Sequence, residues 1–441
     1  MSDVTENSIK IIGAGLAGSE AAWYLANRGV PVVLYEMRPK VQTPVHRTGD
    51  FAELVCSNSL GGEGLATGAG LLKEEMVLLG SLVMEAAYFA RVPAGRALAV
   101  NREEFAGYIT QKLTGHPLIT VRREEVEDLS GLEGLVLVAS GPLTSDSLSE
   151  SIKKLTGDEG LYFFDAAAPI VERESLNESV LYWKSRYDER GTGDYLNVPL
   201  NKEEYERFWH ELVNAEVVPL AEHDKLILFE GCMPIEELAR RGLDTLRFGP
   251  LRPVGLEKNG ERPWAVLQLR KEDAEGRLLN LVGCQTRLKW GEQKRVFRTL
   301  PGFAEAEFVR YGVMHRNTYI NSPKLLDRNL SLKEHPQIFF AGQITGVEGY
   351  LESAACGLYA GINLARIVQG KESITLPEET MLGSLTAYIT DPSRQDFQPM
   401  NANFGLLPEL PEKIKSKKER KLAKARRSLK VLEHFAKTVN I

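Results

Sequence analysis

The sequence predicts an α/β protein: a Rossmann-like domain made from two separated stretches of chain, an inserted α+β domain, and a basic C-terminal helix. Three observations predict it. Short apolar runs near both ends of the chain stop at glycine, the middle is richer in Trp, Pro and charge, and cationic residues crowd toward the C-terminus. The 441 residues allow two or three domains, and 43% hydrophobic with 26% charged residues is an ordinary globular balance.

Ile9–Ile12 reads as a buried strand running straight into Gly13. A helix is expected from about Leu16 to Asn27, and Val32–Glu36 supplies the second strand of a βαβ unit. Leu135–Ala139 is a further strand, closed by the turn Ser140-Gly141-Pro142. Ile338–Ala341 is another, ending at Gly342 ahead of a small-residue helix over about Tyr350 to Val368. One sheet built from both ends divides the chain into residues 1–164 and 311–375 for the nucleotide-binding domain, 165–310 for the insertion and 376–441 for an extension. In that extension, apolar residues at 422, 425, 429, 432, 436 and 439 predict an amphipathic helix with a Lys- and Arg-rich opposite face.

Several classes are excluded early. No run of about 18 uncharged apolar residues exists, so no membrane-spanning helix is expected. The polar, acidic start MSDVTENSIK argues against export. Cys56, Cys232, Cys284 and Cys356 form no C-x-x-C pair, which points to reduced thiols in a cytoplasmic protein and to no metal site. The net charge of −6 is uneven: residues 412–430 carry +8 and the rest −14, which hints at a polyanionic partner.

Gly13-Ala14-Gly15-Leu16-Ala17-Gly18 fits G-x-G-x-x-G between strand and helix, and Glu36 ends the next strand. Gly13 makes the tight turn, Gly15 admits a pyrophosphate, and Gly18 lets the helix pack closely. Glu36 can accept from a ribose 2′-OH, which favours FAD or NAD over NADP. Near the far end, Gly342-Gln343 and Gly346-Val347-Glu348-Gly349-Tyr350 look like the turn and helix that close over a flavin, so FAD is the expected resident cofactor. Related flavoproteins often carry Asp where this chain has Gln343. No second G-x-G-x-x-G is present, so NAD(P)H is expected to bind transiently. Asn101-Arg102-Glu103 opens a helix to Leu113, readable as a flavin contact or as a solvated helix start.

Cys56 in ELVCSNSL and Cys232 in FEGCMP have turn formers close by, and a thiol there can serve as nucleophile or base. Cys356, among Ala354, Ala355 and Gly357, and Cys284, after Leu281-Val282-Gly283, read as small buried residues.

Together GAGLAGSEAAWYLANRG, ELVCSNSL, FEGCMP and FFAGQITGVEGYLESAACGLYAGINLAR resemble the folate- and FAD-dependent tRNA uracil-5 methyltransferases, the Gid family, from about residue 9 to the tail. Larger flavin-dependent wobble-uridine enzymes share the first and last segments but carry a longer C-terminal region. The resemblance implies methylation of carbon 5 of uridine 54 in the tRNA T loop. NAD(P)H would reduce FAD, and 5,10-methylenetetrahydrofolate would pass its methylene to flavin N5. It implies that the Cys232 thiolate adds at uracil carbon 6 and that Cys56 removes the carbon-5 proton, with the reverse assignment as the alternative. Hydride from the reduced flavin would complete the methyl group. Arg240, Arg241, Arg247, Arg252 and the basic tail are candidates for the tRNA backbone, and Trp290 with Lys289 for the folate pterin. The rival readings are a small-molecule flavin oxidase or monooxygenase, a ribosomal-RNA uracil methyltransferase, and a non-catalytic RNA-binding flavoprotein.

Overall fold

The computed structural model describes residues 8–186, 193–220, 228, 233–258 and 260–441. The chain opens with strand β1 (Ile9–Ile12), helix α1 (Leu16–Ala26) and strand β2 (Val32–Tyr35). Helices α2 (Gly68–Leu78), α3 (Leu82–Phe89) and α4 (Arg102–Thr114) follow, then strands β3 (Ile119–Arg122) and β4 (Val136–Val138). Strand β5 (Leu161–Ala166) leads to β6 (Ile170–Glu172), β7 (Tyr182–Trp183), β8 (Tyr195–Leu200) and helix α5 (Lys202–Asn214). Next come β9 (Ala265–Lys271), β10 (Leu278–Leu281), α6 (Trp290–Phe297) and β11 (Phe308–Arg310). Strand β12 (Met314–Tyr319) returns to β13 (Ile338–Phe340), α7 (Tyr350–Val368), α8 (Met381–Ile389) and α9 (Lys417–Val439).

Two sheets dominate. The first is parallel, in the order β13-β4-β1-β2-β3, and joins residue 338 to strands more than 190 positions earlier. Its central strands are almost wholly apolar, as expected where helices cover both faces, while the edge strand β3 carries Thr120 and Arg122. The second is antiparallel, in the order β7-β8-β9-β10-β6-β11, and has its own apolar core around Tyr205, Phe208, Leu267 and Phe297. Between them runs the antiparallel ribbon of β5 and β12. The predicted strands and the helices α1 and α7 therefore form, trimmed by about a residue at some ends.

Close packing of α1 on its surroundings depends on glycines. A Cβ on Gly18 would lie 1.9 Å from the Gly13 carbonyl oxygen, and one on Gly357 of α7 would lie 2.1 Å from that of Ala17. Two buried carboxylates cap other helices. Glu20 accepts from Leu82 N (3.1 Å) and Val83 N (2.9 Å) at the start of α3. Glu75 accepts from Met381 N (2.7 Å) and Leu382 N (2.9 Å) at the start of α8, and from the Ser428 hydroxyl of α9. Burial raises both carboxyls to about 7, against these bonds.

Helix α9 begins before the expected Leu422, at Lys417, capped by Ser416. Ala425, Ser428 and Leu432 are buried while Leu422, Leu429, Ala436 and Val439 are half-buried. Lys424 leaves the basic face: it is buried, and its ammonium donates to Leu407 O and Glu409. Among the described residues no helix is long and apolar enough to cross a membrane.

Candidate active site

At the C-terminal edge of the parallel sheet, a cleft open to solvent lies between the first glycine loop and the second. Gly13 holds φ at +95°, and a Cβ there would sit 2.6 Å from the Ala139 carbonyl oxygen. Gly15 is extended, caps α1 without any side-chain hydrogen bond, and has nothing within 4 Å of where its Cβ would be. The α1 N-terminus thus offers unshielded N–H groups and the positive end of its dipole to the cleft.

Of the sequence-predicted cofactor residues, Gly13, Gly15, Leu16, Ala17, Glu36, Gly342 and Gln343 line this cleft. Ala14, Gly18, Gly346 and Val347 act behind it. Ala14 N donates to Glu36, Gly18 fills the loop–helix contact, Gly346 turns at φ +83° against Phe397, and Val347 is fully buried in the core. The Glu36 carboxylate is already engaged, accepting from Ala14 N (3.1 Å), Arg38 N (3.0 Å) and Arg38 Nε (2.8 Å). Gln343 turns its amide to Glu348, Nε2 to Oε2 at 2.7 Å. Burial, with Asp165 and Glu352 nearby, pushes the Glu348 carboxyl well up. Across the cleft, burial and Arg38 pull His46 down to about 4, leaving it neutral.

Cys56 lies beside this cleft on a loop that distant parts of the chain hold. Tyr350, at the start of α7, accepts from Cys56 N (2.7 Å) and Ser57 N (3.1 Å) through its hydroxyl oxygen. Arg102 donates to Leu54 O (2.6 Å) and pairs with Glu272 at 2.7 Å, while Arg310 donates to Val55 O. Arg270 of β9 donates to Asn58 Oδ1 (2.7 Å) and Ser57 Oγ (2.8 Å). Cys56 itself is half-buried and its thiol points to Ala166 O at 3.5 Å. Burial and then Asp165 push this thiol up, with Arg102 and Arg310 pulling against them. Arg102, expected from sequence as a flavin contact or helix start, is therefore a clamp on the Cys56 loop, and Asn101 caps its helix. No spacing in the sequence marks Arg270 or Arg310 as part of this site. Tyr350 carries the one available signal, as the aromatic residue that closes GVEGY.

Cys232 lies outside the described residues. Cys284 and Cys356 are fully buried, as expected. Trp290 is 63% exposed and stacks on Tyr311 with ring centroids 5.6 Å apart, and Lys289 pairs with Glu216 at 2.6 Å. Arg240 pairs with Glu237 at 2.7 Å, Arg247 lies over Trp264 at 3.9 Å, and Arg252 is exposed.

Residues 8–372 match the family model described as glucose inhibited division protein A. The chain belongs to that family. It is 58% identical over 433 residues, 98% of this chain and 99% of the other, to a methylenetetrahydrofolate–tRNA-(uracil-5-)-methyltransferase of Listeria innocua serovar 6a. A protein of the same name from Heliobacterium modesticaldum is 59% identical over 430 residues, 97% of this chain and 98% of that one. Among solved structures, Aquifex aeolicus GidA in its form II crystal shares the fold, with a TM-score of 0.70 at 17% identity over 98% of this chain and 73% of that one. The Rossmann-like α/β architecture expected from sequence is thus shared with the family.

Proposed function

We propose that this chain methylates carbon 5 of a uridine in tRNA, uridine 54 of the T loop, with 5,10-methylenetetrahydrofolate as carbon donor and FAD as resident cofactor reduced by NAD(P)H. The observation that carries the reading is 58% identity across 98% of the chain to a methyltransferase of that name. The cytoplasm is the compartment this reading implies.

The cleft fits FAD. An uncapped helix start, open space over Gly15 and the positive-φ turns at Gly13 and Gly342 make a cradle for a pyrophosphate-bearing ligand. In this reading the N–H groups at the start of α1 hold the pyrophosphate, and the remaining lone pairs of Glu36 take the adenosine ribose hydroxyls. Gln343, fixed by Glu348, stands at the opposite wall. When bound, the flavin supplies reducing equivalents and carries the one-carbon unit.

The protein's own task is to make uracil carbon 5 nucleophilic. A thiolate adds to carbon 6, moving electron density onto carbon 5 and oxygen 4; once carbon 5 has bonded to the one-carbon unit, a base removes the carbon-5 proton and the thiolate leaves. We assign the addition to Cys232 and the proton to Cys56 Sγ. The exposed Lys413, Lys415, Lys417, Lys418, Arg426 and Lys430 supply charge for RNA phosphates.

The test is transfer of label from 14C-methylenetetrahydrofolate to unmodified tRNA with NAD(P)H, beside a tRNA substituted at uridine 54. Label in the first RNA alone is expected. No label in either from fully flavinated protein would replace the reading with a flavin-dependent small-molecule oxidase.

A further inference from the structure

Three arginines converge on the loop that carries Cys56, and they differ in what neutralises them. Arg102 has its carboxylate, Glu272, at 2.7 Å and keeps its charge above the usual range through that pairing, against burial. Arg270 spends its donors on Asn58, Ser57 and Asn280. Arg310 hydrogen-bonds the Val55 carbonyl, one residue from Cys56, and among the described residues no carboxylate forms a salt bridge with Arg270 or with Arg310. Burial first, then the neighbouring Arg102 and Arg47 charges, draw Arg310 down to about 10. A guanidinium placed out of water without an anion is unfavourable unless an anion forms beside it.

We infer that Arg310 is a positioning residue that supplies the counter-charge for a Cys56 thiolate. The groups facing Cys56 are of both signs. Asp165 from β5 and Glu348 from the second glycine loop oppose ionisation, Arg102 from α4, Arg310 from the end of β11 and Arg270 from β9 favour it, and Tyr350 holds the backbone in place. Glu272 offsets Arg102, and of the two arginines without a paired carboxylate Arg310 is the one that bonds the backbone beside Cys56. Through Val55 it also sets where the sulfur sits. The inference deepens the reading of Cys56 as the base that takes the carbon-5 proton and rests on it.

The test is alkylation of the full-length, flavin-loaded enzyme by iodoacetamide from about pH 6 to 11, spanning the ordinary thiol range. Mass spectrometry of the Cys56 peptide reads the extent of reaction, in which the thiolate forms a thioether and iodide leaves. Removing the charge with Arg310→Met should raise the midpoint by about one pH unit or more, while Arg310→Lys should restore most of the shift. Flavin content and near-UV circular dichroism confirm that both variants are folded. An unchanged midpoint in Arg310→Met, equal shifts in both variants, or a wild-type thiol that stays unalkylated throughout would each overturn the inference. Methyl transfer by Cys56→Ser is a separate measurement: normal turnover there would end the reading of Cys56 as base and leave the thiol–guanidinium pairing standing.

Discussion

The glycine loop at residues 13–18 and the cysteine loop at residues 54–58 border the same cleft but are built by opposite means. The first is local: its turn, its open face and its helix contact come from three glycines within six residues, acting through backbone geometry. The second is convergent, since Arg102, Arg270, Arg310 and Tyr350 reach it from four elements spread over nearly 250 positions. Backbone chemistry carries a short spacing that can be read directly. Side-chain chemistry gathered by the fold carries none.

The largest effect is expected at the two thiols, Cys56 of the second loop and Cys232. Cys232→Ala should keep its yellow FAD and slow methyl transfer by about 10³-fold or more, as when a nucleophile is removed from a catalytic unit. Cys56→Ala should slow transfer comparably while retaining flavin. Single-turnover assays on flavinated protein measure both, and normal turnover in either variant would sink its assigned role.

Next is the contrast between two glycines of one motif. Gly18→Ala places a methyl 1.9 Å from the Gly13 carbonyl oxygen and should destabilise the fold by about 3 kcal/mol or more. Gly15→Ala meets nothing within 4 Å, so the apoprotein should melt as wild type does, while flavin content falls. Thermal melts with and without FAD separate the two. Equal melting of both apoproteins would undo the account of the loop.

A smaller effect concerns the helix caps. Glu20 and Glu75 hold their protons up to about pH 7 when folded but release them near 4.5 when unfolded. The folded state binds more protons across that window, so stability is greatest below about 4.5 and declines as pH rises through 7. The decline is up to about 3 kcal/mol per group. Glu75→Gln should flatten the fall in melting temperature between about pH 5 and 8. An unaltered slope would show that this carboxyl does not set it.

The smallest effect is expected on the exposed face of α9. Replacing Lys417, Lys418, Arg426 and Lys430 with Ala should weaken tRNA binding mainly at low salt, lowering the salt slope by about 0.7–0.9 for each phosphate that is no longer neutralised. Equal affinity and slope would make the helix purely structural. Deleting it instead would remove Leu432 from the core and the Ser428 hydroxyl from Glu75, and would confound folding with binding.

Legibility follows the same division. The parallel strands, α1, α7 and the buried state of Cys284 and Cys356 were readable because apolar periodicity and small-residue runs report burial directly. Glu36 and Gln343 were legible as positions, but not their partners, since Arg38 and Glu348 compete for the same polar atoms. Lys424 belongs to the basic run by sequence yet lies in the core, because a charge run does not reveal which ammonium has a carbonyl within reach there.

Residue types at short spacing were enough to specify the dinucleotide cradle, the strands of its sheet and the family, because over such spans the backbone leaves few conformations open. The surroundings of Cys56 were settled only by folding. A thiol's ionisation depends on charges a few ångströms away, and here they come from Arg102, Asp165, Arg310 and Glu348, residues brought together by two sheets and a connecting ribbon.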